Sequence, residues 1–160
     1  MRKIDRLLAE YGESHQNATN KAIHWICVPL IFLSIMGLIW SIPQGFLATL
    51  ADAPIDAFIN WATLILVVVL LYYLRLSVPL FFGMLVLVAV FVGITYWVDQ
   101  SPWMPLWLVS LVVFVLAWIG QFYGHKVEGK KPSFFKDLQF LLIGPAWLMH
   151  FIYKKLHIPY

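Results

Sequence analysis

The 160-residue chain is 62% hydrophobic and 12% charged, with a mean hydropathy of +0.82, far from the roughly 45–50% apolar and 25% charged make-up of soluble domains. That excludes an ordinary soluble core and predicts an all-α integral membrane helical bundle, with residues 1–160 forming a single membrane-embedded domain. The net charge of +3 comes from eleven Lys and Arg set among eight Asp and Glu, too dispersed for a nucleic-acid face. The lone Cys27 excludes an intrachain disulfide or a thiolate metal cluster.

Residues 2–13 read as a short amphipathic helix at the membrane interface, with Ile4, Leu7, Leu8 and Tyr11 near one face. Gly12 and the run from Ser14 to Asn20 interrupt it. Ser14, Asn17, Thr19 and Asn20 can each cap the next helix, and Asn20 is the preferred cap. From Ala22 to Trp40 the chain is almost wholly apolar, with His24 just inside and Pro29 a little further on, where a proline frees a carbonyl and bends a membrane helix. Mixed polar residues precede this run and no small-residue cleavage pattern follows it, so it is expected to be a retained span, not a signal peptide.

Ser41 to Asn60 reads as a loop with a short interfacial helix. Phe58 to Leu74, Val78 to Val98 and Trp103 to Ile119 make three further spans, about four in all, and Tyr72, Tyr73, Tyr96 and Trp97 sit at their ends as interfacial anchors. The last apolar segment, Phe134 to Tyr153, is interrupted by Lys136 and Asp137 and broken by Gly144-Pro145. It is expected to be a re-entrant or interfacial pair of short helices, in preference to a fifth span.

With four spans, Arg2, Lys3, Arg6, Lys21, Arg75, Lys126, Lys130, Lys131, Lys136, Lys154 and Lys155 all fall on one side, and the opposite loops hold only Asp52, Asp56 and Asp99. The positive-inside rule then puts both termini in the cytoplasm, as in a bacterial inner membrane or an internal membrane of a eukaryote. His15, His24, His125 and Glu128 come to the same face.

The polar insert Gln121-Phe-Tyr-Gly-His125-Lys-Val-Glu128-Gly-Lys-Lys-Pro132 stands between two apolar runs, and its counterpart near the other end holds His15, Asn17, Asn20 and His24. Imidazole and carboxylate suit Fe(II), Mn(II) or Zn(II), so His15, His24 and His125, joined less securely by His150, are metal-ligand candidates. His15 and His24 are too far apart to share one helix face and converge only if residues 16–19 turn the chain. His125 and Glu128 share a face if the fourth helix continues through Gly124, or are brought together by a turn after it.

The competing reading has these histidines merely solvated or hydrogen-bonded at the interface. Asn20 is a cap or a hydrogen-bonding group of the site. Gln121 and Tyr123 hold a ligand, orient an imidazole, or only finish a helix. Lys126, Lys130 and Lys131 steer a carboxylate headgroup or anchor on anionic lipid. Nucleophile-elbow, phosphate-loop and His-Glu-x-x-His signatures are absent, which weakens hydrolase and nucleotide-enzyme assignments.

The stretches His15-Gln-Asn-Ala-Thr-Asn20-Lys-Ala-Ile-His24-Trp-Ile-Cys-Val-Pro29 and Trp118-Ile-Gly-Gln121-Phe-Tyr-Gly124-His125-Lys-Val-Glu128-Gly-Lys-Lys-Pro132 together resemble a membrane family first described as a domain of unknown function. Its characterised member is a yeast endoplasmic-reticulum Fe(II)-dependent 2-hydroxy fatty acid dioxygenase of alpha-oxidation. The resemblance spans nearly the whole chain and implies that His15, His24 and His125 bind Fe(2+), with Asn20, Gln121, Gly124 and Glu128 matching the surrounding motif. It makes Glu128, Asn20 and Gln121 catalytic candidates, while position and charge at the membrane face make Lys126, Tyr123 and Lys131 substrate-binding ones.

His150 lies where many relatives carry an acidic residue, so it either completes the site or is an interfacial histidine. The implied reaction takes a 2-hydroxy fatty acid and dioxygen to a fatty acid one carbon shorter, with the acyl tail among the spans or in membrane lipid. The alternatives are another membrane lipid-modifying metalloenzyme and a non-enzymatic lipid-binding membrane protein.

Overall fold

The computed structural model describes residues 2–129 and 140–159. Lys130, Lys131 and the beginning of the apolar segment that starts at Phe134 lie outside the described residues. Among the described residues there are six α-helices, two 3₁₀ turns and no strand.

Helix α1 (Lys3–Gly12) buries Ile4, Leu8 and Tyr11, with Leu7 partly buried against the same cluster. This stripe packs on the last helix, α6 (Ile143–Lys155), so protein covers the face expected to lie at the membrane interface.

Helix α2 (Ala18–Trp40) runs unbroken through Pro29, and its cap is Asn17, not Asn20. The Asn17 side chain accepts hydrogen bonds from the Thr19 and Asn20 N–H groups at 2.8 and 3.4 Å, which satisfies donors that have no partner inside the helix. Asn20, inside the first turn, is fully buried.

The connection after α2 contains the turns Gly45–Thr49 and Asp56–Phe58. Helix α3 (Trp61–Leu76) then starts at an Asn60–Thr63 capping box, a few residues later than the apolar run suggests. Helix α4 (Val78–Asp99) follows with Ser77 as cap and Pro79 in its first turn, where a missing N–H loses no intrahelical bond.

Helix α5 (Leu106–Glu128) outlasts its apolar run by about two turns and ends at Gly129, whose φ of 74° is left-handed. Gly144-Pro145 falls in the first turn of α6, where Pro145 loses no intrahelical bond; the segment before residue 140, and with it the first of the two expected short helices, lies outside the described residues. The result is an all-α bundle in which α2, α4 and α5 are long and apolar enough to cross a membrane, while α3 has 16 residues and is shorter.

The main pair is α2 against α5, antiparallel and very close. A Cβ added at Gly120 would stand 2.7 Å from Cys27 Sγ, and one at Gly124 would stand 2.5 Å from Asn20 Oδ1. Small residues let membrane helices approach where no hydrophobic effect drives them together. Helices α3 and α4 form a second pair, and α6 packs against α1, α2 and α4. Two tyrosines tie the pieces together by donating to carbonyls that helix ends leave over: Tyr73 Oη to Leu142 O at 2.5 Å and Tyr153 Oη to Pro79 O at 2.6 Å.

Replacing Gly120 by leucine should lower the midpoint of thermal unfolding of the purified protein, since overpacking costs about 1–3 kcal/mol. Gly93→Ala, where an added Cβ meets nothing within 4 Å, should leave the midpoint unchanged.

Candidate metal centre

His15 sits in the short connection between α1 and α2, His24 on the second turn of α2, and His125 near the end of α5. All three are buried, with 2%, 0% and 4% of their surface exposed. Their ring centroids are 4.1 Å apart for His15 and His24, 5.2 Å for His24 and His125, and 5.6 Å for His15 and His125. One ligating nitrogen from each lies within 4.8 Å of the other two. An ion at bond lengths of about 2.0–2.2 Å therefore requires each ring to shift by less than an ångström.

The tautomers of two rings follow from their partners. A carbonyl oxygen only accepts, so the His15 Nδ1–H donates to Tyr11 O at 2.6 Å and the His24 Nδ1–H donates to Asn20 O at 2.9 Å. Each neutral ring then carries its lone pair on Nε2. Metal-binding histidines are commonly held this way, with the second nitrogen fixing ring orientation and raising basicity. Three buried imidazoles with converging nitrogens suit a transition metal better than a hard, oxygen-seeking cation.

Glu128 builds the frame around them. Its Oε1 accepts from the Gln16 N–H at 2.8 Å, and its Oε2 accepts from the Asn17 N–H at 2.9 Å and from Asn20 Nδ2 at 2.9 Å. The carboxylate thus sits on the amino end of α2, where the helix dipole favours a negative charge. Asn20 Nδ2 also donates to Ser14 O at 3.3 Å, tying both sides of His15 in place.

Gln121 lies one turn before His125 and is buried. Among the described residues its Oε1 has no hydrogen-bond partner, and the residue lines a cavity of about 20 Å³ with Tyr11, Val28, Ile31, Trp118 and Leu141. A buried acceptor without a donor costs about 1–3 kcal/mol unless a ligand satisfies it.

Other candidate residues fall elsewhere. Tyr123 is 59% exposed and Lys126 is exposed on the outer side of α5, while Lys131 lies outside the described residues. His150 is half-buried on α6, edge-on to Phe151 at 5.4 Å, and does not belong to the group of converging nitrogens. Burial foremost, then Lys154, holds its imidazole below the usual range, with Asp5 opposing.

Two residues at the site carry no sequence signal of their own. Tyr11 stacks on His15 at 4.3 Å, and Trp147 flanks the same ring at 5.4 Å. Tyr11 is visible in the sequence only as one apolar position of α1, and Trp147 only as one aromatic among many.

An all-α bundle with three membrane-length helices and a buried trio of imidazoles defines a membrane-bound, metal-dependent enzyme. The model described as "2-hydroxy-palmitic acid dioxygenase Mpo1-like" matches residues 1–156, and the chain belongs to this Mpo1-like family. No curated protein and no solved structure gives a significant match.

Metal analysis of gently purified protein should find about one transition-metal ion per chain, and under a tenth of that in His15→Ala, His24→Ala or His125→Ala. His150→Ala should retain the wild-type content. Equal metal content in all four variants would remove the trio as the binding site.

Proposed function

We propose that the chain is a single membrane-embedded domain that uses Fe(II) and dioxygen to convert 2-hydroxy fatty acids into fatty acids one carbon shorter. The observation that carries this reading is the convergence of His15, His24 and His125 in a chain of the Mpo1-like family. Three imidazoles with remaining coordination positions suit non-haem iron. The reaction balances with carbon dioxide and water as the other products, so no organic cosubstrate is needed. Bound iron would supply Lewis acidity and the redox chemistry that protein side chains lack.

The chain's own residues divide the remaining work. His15, His24 and His125 hold the ion, and the carbonyls of Tyr11 and Asn20 keep two of the rings in the ligating tautomer. Glu128 acts as a positioning residue: both its oxygens are engaged by Gln16, Asn17 and Asn20, which suits holding the His15 connection more than taking a proton. Gln121 Oε1 accepts a hydrogen bond from the 2-hydroxyl group of the substrate, a role supported by its being a buried acceptor without a partner among the described residues. Tyr11 and Trp147 close over His15 and keep bulk water from it.

Support for a lipid substrate comes from the apolar helices around the site and from the family. The basic residues gathered at the termini and after α5 favour a cytoplasmic placement for both termini and the metal centre, and Lys126 and Lys131 then meet the substrate carboxylate during approach from that side. His150 is left outside the ligand set, as a half-buried histidine between Phe151 and Lys154.

Purified protein loaded with Fe(II) should consume dioxygen with a 2-hydroxy acid and yield a product one carbon shorter by mass, but give no product from the unsubstituted acid. A hydrolysed ester or a hydroxylated product would replace this reading with another lipid-modifying metalloenzyme. Turnover that survives metal removal would end it.

Glu128→Gln keeps the shape but loses the charge and one acceptor oxygen, and should weaken metal retention by about 10–100-fold, the usual cost of losing a partner that supports a metal ligand. If Glu128 instead transferred a proton, the variant would keep its metal and lose only kcat.

A further inference from the structure

A second cavity, about 100 Å³ and lined only by apolar side chains, runs between α2 and α3. Phe32, Met36 and Ile39 form its α2 wall, Ala62 and Val69 its α3 wall, and Leu142 lies at one end. Leu141 lines both this cavity and the small one that Gln121 shares with Tyr11, the residue stacked on His15. Leu141 is a wall common to the two spaces. The small one, at about 20 Å³, holds roughly one group the size of a water or a methylene, as a neck would.

The lining residues order themselves along one helix. On α2 they pass from His24 of the metal centre to Val28 and Ile31 of the neck, then to Phe32, Ile35, Met36 and Ile39 of the groove. At about 1.5 Å per residue, His24 and Ile39 stand about 22 Å apart along the axis. An extended hydrocarbon advances about 1.25 Å per carbon, from a carbon–carbon bond of about 1.5 Å at the tetrahedral angle. A chain of roughly 16–18 carbons with its head at the histidines is therefore long enough to reach the far end of the groove.

We infer that the α2–α3 groove is the acyl-chain site, entered through the neck beside Gln121 and Leu141, and that Ile39, Ala62 and Ile65 at its far end set the longest chain that fits. This rests on the proposed lipid substrate and adds where the tail lies. The occupant is the tail of the substrate itself, because the groove adjoins, across Leu141, the small cavity of Gln121 and of Tyr11, whose ring stacks on His15.

The test uses the full chain in lipid nanodiscs and a 2-hydroxy acid of about 16 carbons with a photoreactive diazirine near its methyl end. Peptide mass spectrometry should place the label within residues 35–39 and 62–66. Excess unlabelled 2-hydroxyhexadecanoic acid should reduce it by about fivefold or more, and 2-hydroxyoctanoic acid should not. Label spread over the outward faces of α4 and α5, or label indifferent to the competitor, overturns the groove as an acyl site and marks it as a place for bulk lipid.

In parallel, Ile65→Trp and Ile39→Phe should raise KM for the 16-carbon acid about tenfold, the loss of roughly two buried methylenes, with the 8-carbon acid within about twofold of wild type. An equal change at both lengths counts against the groove. The labelling result stands even if a variant fails to fold. A label in the groove without a shortened product would sink the proposed reaction and keep the acyl site, whereas a shortened product with the label elsewhere would do the reverse.

Discussion

A carboxylate at the end of one membrane helix, bonded to the amino end of another, is the constraint on which the metal centre depends. Glu128 receives the Gln16 and Asn17 N–H groups and the Asn20 amide, and it stands one turn beyond His125 on α5. Because α2 and α5 are antiparallel and separated by glycine-width contacts at Gly120 and Gly124, the same bonds that steady the start of α2 bring His24 opposite His125. They also hold the turn that swings His15 back between them. Hydrogen bonds to an ionised acceptor are about twice as strong as neutral ones, so a single side chain can order a connection that has no secondary structure of its own.

The second requirement is a cover. Helix α1 is too short to be stable alone, yet it lies against α6 with Ile4, Leu8 and Tyr11 buried, and so places the Tyr11 ring and carbonyl on His15. Trp147 completes the cover from α6. The site is thus assembled from four separate parts of the chain: α1 with the connection after it, α2, α5 and α6.

Much of this was legible because lipid imposes simple rules. Long apolar runs must be helical when every backbone polar group has to be satisfied locally, so α2, α4 and α5 follow from composition, and the family resemblance singles out the same three histidines that converge. The course of α5 was harder to read. Hydropathy ends at Ile119, but the helix continues because Gln121, Gly124 and His125 have a protein neighbour, α2, which a sequence pattern does not reveal.

The same cause hid the role of Asn17. Several residues near it are good caps, and the choice was made by Asn20 being drawn inward to Ser14 and Glu128. Gly144-Pro145 reads equally as a break or as a helix start, and only the position of the preceding turn decides. Trp147 was invisible as a site residue because ring contacts across 132 or more positions leave no local trace, and Tyr11, only four residues before His15, because its place in the apolar stripe of α1 already accounted for it.

The order of the ligands along the chain has a consequence for biosynthesis. His15 and His24 are translated first, and His125 follows about 100 residues later, which is about 5–20 s at usual rates of synthesis. Until α5 has been inserted beside α2, the nascent protein offers two imidazoles and an unanchored connection. A chain whose later helices enter the bilayer wrongly never presents the third nitrogen or the Glu128 clamp, and so stays without its ion. Metal loading would then report that membrane insertion has been completed correctly.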